Sequence, residues 1–145
     1  RELGAELARA GATVLTGGRG GAMAAASEGA RAAGGLAVGI LPGANAEQSP
    51  PNPHLAVALF TGLGQARNQV LVLSAGAVVA VGGGWGTLSE IALALKHRIP
   101  VILLESWRLQ RPDGLLDPLL AVALSPADAA EIAVRQARHG RREER

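Results

Sequence analysis

Three features of the sequence have residue types and spacing that could do chemistry: a glycine-rich stretch that ends in Thr87 and Glu90, an arginine at Arg67, and a tryptophan, Trp85, set among the glycines. The stretch runs Ala77-Val78-Val79-Ala80-Val81-Gly82-Gly83-Gly84-Trp85-Gly86-Thr87-Leu88-Ser89-Glu90, an apolar run that breaks into glycines and restarts as a helix. Glycines at such a turn let backbone N–H groups approach a ligand, and the first helical turn adds unpaired donors and the positive end of its dipole. That combination makes an anion site, suited above all to phosphate. A purely structural reading uses the same residues. Thr87 and Glu90 fit a capping box, in which Thr87 caps the helix and Glu90 reaches back to the cap's N–H.

Arg67 falls in the first turn of a helix expected from about Gln65 to Ser74. There the dipole disfavours a cation by some tenths of a kcal/mol, up to ~1. An anion should compensate, either Glu90, a bound phosphate or both; the alternative is an arginine bent out into water. Trp85 could stack on a base or merely shield its turn. Arg19, held among glycines, reads as a solvated loop charge. His54, His97 and His139 have no partner at metal or triad spacing, so no metal site is expected. No G-x-S-x-G elbow and no P-loop lysine is present, which removes the usual signatures of acyl transfer and NTP hydrolysis. Glu105 follows the next strand about twenty residues after the glycines, where an acid would hold a ribose in dinucleotide binding, but the glycine spacing that such binding requires is not met.

The elements that must position these residues are legible as an alternation. A helix over Arg1 to Ala10 stops at Gly11 and feeds a strand at Thr13 to Thr16. Gly17 to Gly21 then repeats the strand-turn-helix organisation, with a helix of small residues from Ala22 to Ala33 suited to close packing on a sheet. Strands follow at Leu36 to Leu41 and Leu55 to Phe60, separated by a proline-bearing loop. Beyond the central unit come a buried strand at Val101 to Leu104, a polar loop from Glu105 to Pro118 that Trp107 packs down, and a weak strand at Leu119 to Leu124. A helix starts well at Ser125-Pro126-Ala127-Asp128 and is expected to stop before Gly140.

Strands alternating with helices predict an α/β fold: a doubly wound, mostly parallel, Rossmann-like sheet over residues 1–139, followed by a basic tail at 140–145. A helix at residue one, feeding a strand, suggests a preceding strand that this sequence lacks. In such a sheet the turns at Gly17, Gly62 and Gly83 lie along one edge, and Arg67, Glu90 and the central turn are expected to meet at one pocket.

Composition narrows the function classes. The 145 residues are 48% hydrophobic and 18% charged, as in an ordinary globular domain, and the absence of cysteine excludes a disulfide framework and thiolate metal sites. No apolar run approaches the ~20 residues of a membrane span, so a cytoplasmic protein without a membrane partner is expected. The sequence pI is about 10.4 although the formal net charge is only +2. Much of the excess sits in Arg135, Arg138, Arg141, Arg142 and Arg145, which read as a solvated tail. With 2% aromatics and no tyrosine there is no stacking platform for single strands, and nucleic acid is not an expected partner.

Taken together, the central stretch, the Gly17 to Met23 turn and Arg67 resemble the LONELY GUY-type proteins, often labelled lysine decarboxylase-like, within the Rossmann-like group that includes molybdenum-cofactor carriers. The family pattern P-G-G-x-G-T-x-x-E corresponds to Gly82 through Glu90. The resemblance implies hydrolysis of the N-glycosidic bond of a nucleoside 5′-monophosphate, with no cofactor. It implies that Gly83, Gly84, Gly86 and Thr87 hold the phosphate, that Glu90 stabilises the oxocarbenium-like sugar or orients water, and that Arg67 positions the ribose phosphate and Glu90. Gly18, Gly21, Met23 and Trp85 would complete the pocket, and a homodimer is expected. Three positions depart from the pattern: Gly82 stands for its proline, Asn68 for the lysine after the arginine, and Ala22 for a leucine. They resemble the less characterised bacterial branch and the carriers, so a non-catalytic carrier or sensor of a nucleotide or of the molybdenum cofactor is the alternative reading.

Overall fold

A computed structural model describes residues 1–143. The protein has an α/β fold in which every strand pairing is parallel. Its chain divides into two compact units, Arg1–Leu71 and Val72–Arg145.

The first unit holds helix α1 (Glu2–Arg9), strand β1 (Val14–Thr16), helix α2 (Ala22–Ala32) and strands β2 (Ala37–Leu41) and β3 (Val57–Phe60), in the sheet order β1-β2-β3. Val14, Ala30 and Ala37 form its buried centre, with Leu7, Ala8 and Leu55 packed around them. Ala30 of α2 packs on the sheet as expected, and the small residues of the helix also serve a second contact. Gly29 lies against the Arg1 carbonyl and Gly4 of α1 against the Ala26 carbonyl, so the two helices approach backbone to backbone, closer than any Cβ would permit. A short 3₁₀ turn (Gly64–Ala66) leads into helix α3 (Arg67–Leu73), which makes Arg67 its first residue. The helix expected from Gln65 thus opens with tighter, three-residue winding.

The second unit holds β4 (Val78–Gly82), helix α4 (Trp85–Lys96), β5 (Val101–Ser106), β6 (Leu120–Val122) and helix α5 (Pro126–Glu143), in the sheet order β4-β5-β6. Val101 to Leu104 are four consecutive buried residues, the pattern of a strand covered on both faces. Val72, Ala80, Ile91, Ala94, Val101 and Leu103 make the core, and Trp107 packs against it. Helix α5 starts as the sequence predicts: Ser125 Oγ accepts from the Asp128 N–H at 3.1 Å, and Asp128 Oδ2 accepts from the Leu124 N–H at 2.9 Å. Its end differs, since α5 continues through Gly140 to Glu143. One glycine costs a helix only ~1 kcal/mol, too little to stop one of this length. Residues 144 and 145 of the expected tail lie outside the described residues. Among the described residues no helix is long and apolar enough to cross a membrane.

Candidate functional site

In the second unit the strand-turn-helix plan is realised as β4, a two-residue turn of Gly83 and Gly84, and α4. The N-cap is Gly84, with no side-chain cap bond. The capping-box reading is therefore overturned: Thr87 is the third helical residue and Glu90 lies a further three along, so neither occupies the position a capping box assigns it. The first helical bond runs from the Leu88 N–H to the Gly84 carbonyl at 3.1 Å. The N–H groups of Trp85, Gly86 and Thr87 precede it and have no carbonyl acceptor within the helix.

Four glycines surround these donors, and only one is demanded by the backbone. Gly82 has φ +81°, the left-handed region that favours glycine. Gly84 sits at φ −71°, ψ 155°, where any residue is comfortable, and a Cβ added at Gly83, Gly84 or Gly86 would meet nothing within 4 Å. Glycine inside a helix costs about 1 kcal/mol relative to alanine, and Asp, Asn or Ser at an N-cap is preferred over glycine. The fold gains nothing from these three glycines. What they leave is an exposed shelf of backbone N–H groups that a ligand can approach directly.

The turn is held from β5. Val81 pairs with Leu104, but Gly82 pairs with Ser106, so Glu105 is an extra residue in its strand and takes φ +48°. A left-handed non-glycine residue costs roughly 1–2 kcal/mol, and the strand expected to end at Leu104 runs on through this bulge to Ser106. The bulge brings Ser106 opposite Gly82, where its hydroxyl donates to the Gly82 carbonyl at 2.7 Å. Trp107 Nε1 donates to the Gly84 carbonyl at 3.2 Å. With these two carbonyls engaged by β5 and its extension, the turn is fixed by its acceptors while its donors stay open. Trp107 also meets Trp85, with ring centroids 5.2 Å apart and planes tilted by 40°. Trp85 nevertheless remains 78% exposed.

The first unit builds its own glycine turn after β1. Gly18 has φ +75°, and its N–H donates to the Thr16 hydroxyl oxygen at 3.1 Å. Asn52, from the proline-bearing loop, fastens this turn: its N–H donates to the Gly18 carbonyl at 2.9 Å and its Nδ2 to the Arg19 carbonyl at 3.2 Å. Arg67 is buried and lies across Gly17, where a Cβ would collide with its Nη1 and stand 2.7 Å from Met23 Sδ. Arg67 and Met23 are thus brought together over Gly17, and Arg67 is not bent out into water. Gly18 packs inward against Leu41 and Gly39, a structural position rather than an exposed one, while Gly21, with φ +64°, is the N-cap of α2. Next to Arg67, Asn68 is buried and its Oδ1 has no hydrogen-bond partner among the described residues.

Asn52 and Ser106 are the site-shaping residues that sequence reasoning missed. Both act on carbonyls of a turn distant in sequence, and neither has a motif spacing that could have revealed it. Among the described residues no three His, Cys, Asp or Glu side chains gather as a metal cluster would.

The family model of the SLOG cluster4 family matches residues 1–129. The chain belongs to this family. Among solved structures, this SLOG cluster4 protein is similar to the molybdenum cofactor binding protein of the phototrophic bacterium Rippkaea orientalis, at 44% identity and a TM-score of 0.81 over 90% of this chain and 81% of that one. It is likewise similar to the molybdenum cofactor carrier protein of Chlamydomonas reinhardtii, at 40% identity and a TM-score of 0.80 over 95% of this chain and 84% of that one. An uncharacterised protein of Archaeoglobus fulgidus is 42% identical over 95 residues, 66% of this chain. The chain spans 61% of that curated relative's length.

Proposed function

We propose that this SLOG cluster4 protein is a carrier of the molybdenum cofactor or of a closely related nucleotide-like phosphate ester. The observation that carries the reading is the run of glycines at Gly83, Gly84 and Gly86, which neither conformation nor packing requires and which bares the N–H groups at the start of α4. These N–H groups and the Thr87 hydroxyl would hold the phosphate, since a helix N-terminus stabilises an anion and backbone donors come closest where no Cβ intervenes. The molybdenum cofactor is a phosphorylated pterin, so one anion and one flat ring are the features to be recognised. The exposed turn and Trp85 fit both. The likeness to two molybdenum-cofactor proteins at 40% identity or more supports the same choice. Arg67 would act within the first unit, fixing the turn at Gly17 and Met23.

A second reading is hydrolysis of a nucleoside 5′-monophosphate, favoured by one observation: Glu90 stands three residues beyond Thr87 on α4, on the same side of the helix. A carboxylate beside an anion site could stabilise positive charge developing on the sugar. Two incubations separate the readings. Retention of molybdenum cofactor through gel filtration, with no adenine released from AMP, supports the carrier. Release of free adenine, abolished in Glu90→Gln, supports the hydrolase. A second copy of the chain is the expected protein partner, in keeping with Val57, Leu59 and Phe60 exposed along the edge strand β3; sedimentation as a monomer at micromolar concentration would remove it.

A further inference from the structure

We propose that Trp85, braced by Trp107, is a stacking platform that reads the flat heteroaromatic ring of the cargo and so selects ring-bearing phosphate esters over simple sugar phosphates. The proposal rests on the phosphate reading above and adds to it the part of the ligand that the glycine turn does not touch.

Trp85 is the first residue of α4 and lies within the shelf itself, between Gly84 and Gly86. Among the described residues it is the second most exposed of the large hydrophobic side chains, at 78%, after Leu124. An indole left in water at the start of a helix does nothing for the core. Its orientation is nonetheless determined, because its ring rests on Trp107 at 5.2 Å, and Trp107 is itself bonded to the Gly84 carbonyl and packed on the core around Ile91. The support is bonded and packed while the ring it supports is exposed, which is the arrangement a stacking site needs: the ordering cost falls on the fold and not on the ligand. The neighbouring N–H groups would hold a phosphate one residue away along the chain. A ligand with an anion at one end and a flat ring at the other meets both features at once, whereas a sugar phosphate uses only the first.

Trp85 and Trp107 are the only tryptophans, and the sequence has no tyrosine. Intrinsic fluorescence therefore reports on this pair alone. GMP, whose guanine carries the same amino-oxo edge as a pterin, is titrated against ribose 5-phosphate, with binding followed by calorimetry and by tryptophan emission. GMP is expected to bind more tightly and to quench the emission, and ribose 5-phosphate to bind without quenching. Trp85→Ala should weaken GMP by roughly 5- to 100-fold, leave ribose 5-phosphate within about twofold, and be largely rescued by Trp85→Phe. Equal affinity for the two ligands, unchanged in Trp85→Ala, overturns the platform and leaves the phosphate reading standing. Binding of neither ligand by the wild-type protein overturns both. A Trp85→Ala protein that loses self-association but keeps its GMP affinity assigns the indole to a contact between copies, and the platform falls.

Discussion

Ser106 and Gly82 are joined by a hydrogen bond of 2.7 Å, hydroxyl to carbonyl, across a register shift that leaves Glu105 without a partner residue on β4. The bond turns an irregularity in β5 into a fixed point for the glycine turn. A strained residue near a functional turn is repaid by what it positions. Here it positions Ser106 against Gly82 and Trp107 against Gly84.

Ser106→Ala removes that hydroxyl and leaves the half-buried Gly82 carbonyl without its donor. A loss of about 1 kcal/mol in stability is expected, seen as a lower denaturation midpoint in urea at an unchanged slope. GMP affinity should fall with it, because the shelf of donors loses a tether. Ser106→Thr, which keeps the hydroxyl on a strand-favouring side chain, should restore both. Unchanged affinity in Ser106→Ala would show that the turn holds its shape without the bond.

Gly86→Ala is expected to act in opposite directions on stability and binding. Gly86 is in the first turn of α4 with open space where a Cβ would stand, so alanine should raise stability by ~0.5–1 kcal/mol. In a chain of this size that is a rise in Tm of about 2–4 °C. The added methyl projects from the donor shelf, and affinity for ribose 5-phosphate should drop. Calorimetric melting and titration of the same preparation read both quantities.

Gly4→Ala tests the helix pair of the first unit. The new Cβ would overlap the Ala26 carbonyl, a backbone atom that yields only if α1 and α2 separate. A loss of roughly 1–3 kcal/mol is expected. Gly20→Ala, with no neighbour within 4 Å and away from the helix pair, serves as a control that should leave Tm nearly unchanged.

The alternation of strands and helices was legible because parallel strands buried on both faces read as continuous apolar runs, as Val101 to Leu104 do. The glycine turn was legible too, since a run of glycines between an apolar run and helix formers marks the passage from a strand to a helix. What the sequence concealed was which residue capped α4. Thr87 and Glu90 have the spacing of a capping box, and only the backbone shows that the helix begins two residues before Thr87. The clamp was hidden for a different reason. Ser106 reaches Gly82 only because Glu105 bulges, and no local propensity marks a left-handed glutamate. The small residues of α2 meet the sheet at Ala30 as expected, while the approach of Gly29 to α1 was hidden, since small size permits a close contact without saying to what.

The molybdenum and pterin content of the protein purified from cells that make the cofactor, compared between wild type and Gly84→Asp, tests the phosphate shelf most directly. At φ −71°, ψ 155° aspartate fits the Gly84 backbone without strain, and as an N-cap in the first turn it favours the helix by some tenths of a kcal/mol. The fold should therefore be kept or slightly stabilised while a carboxylate occupies the place of the phosphate. Wild-type protein is expected to carry molybdenum and pterin together, and Gly84→Asp protein to melt no lower yet carry almost none. Equal cofactor content in the two would mean that the shelf does not hold the phosphate.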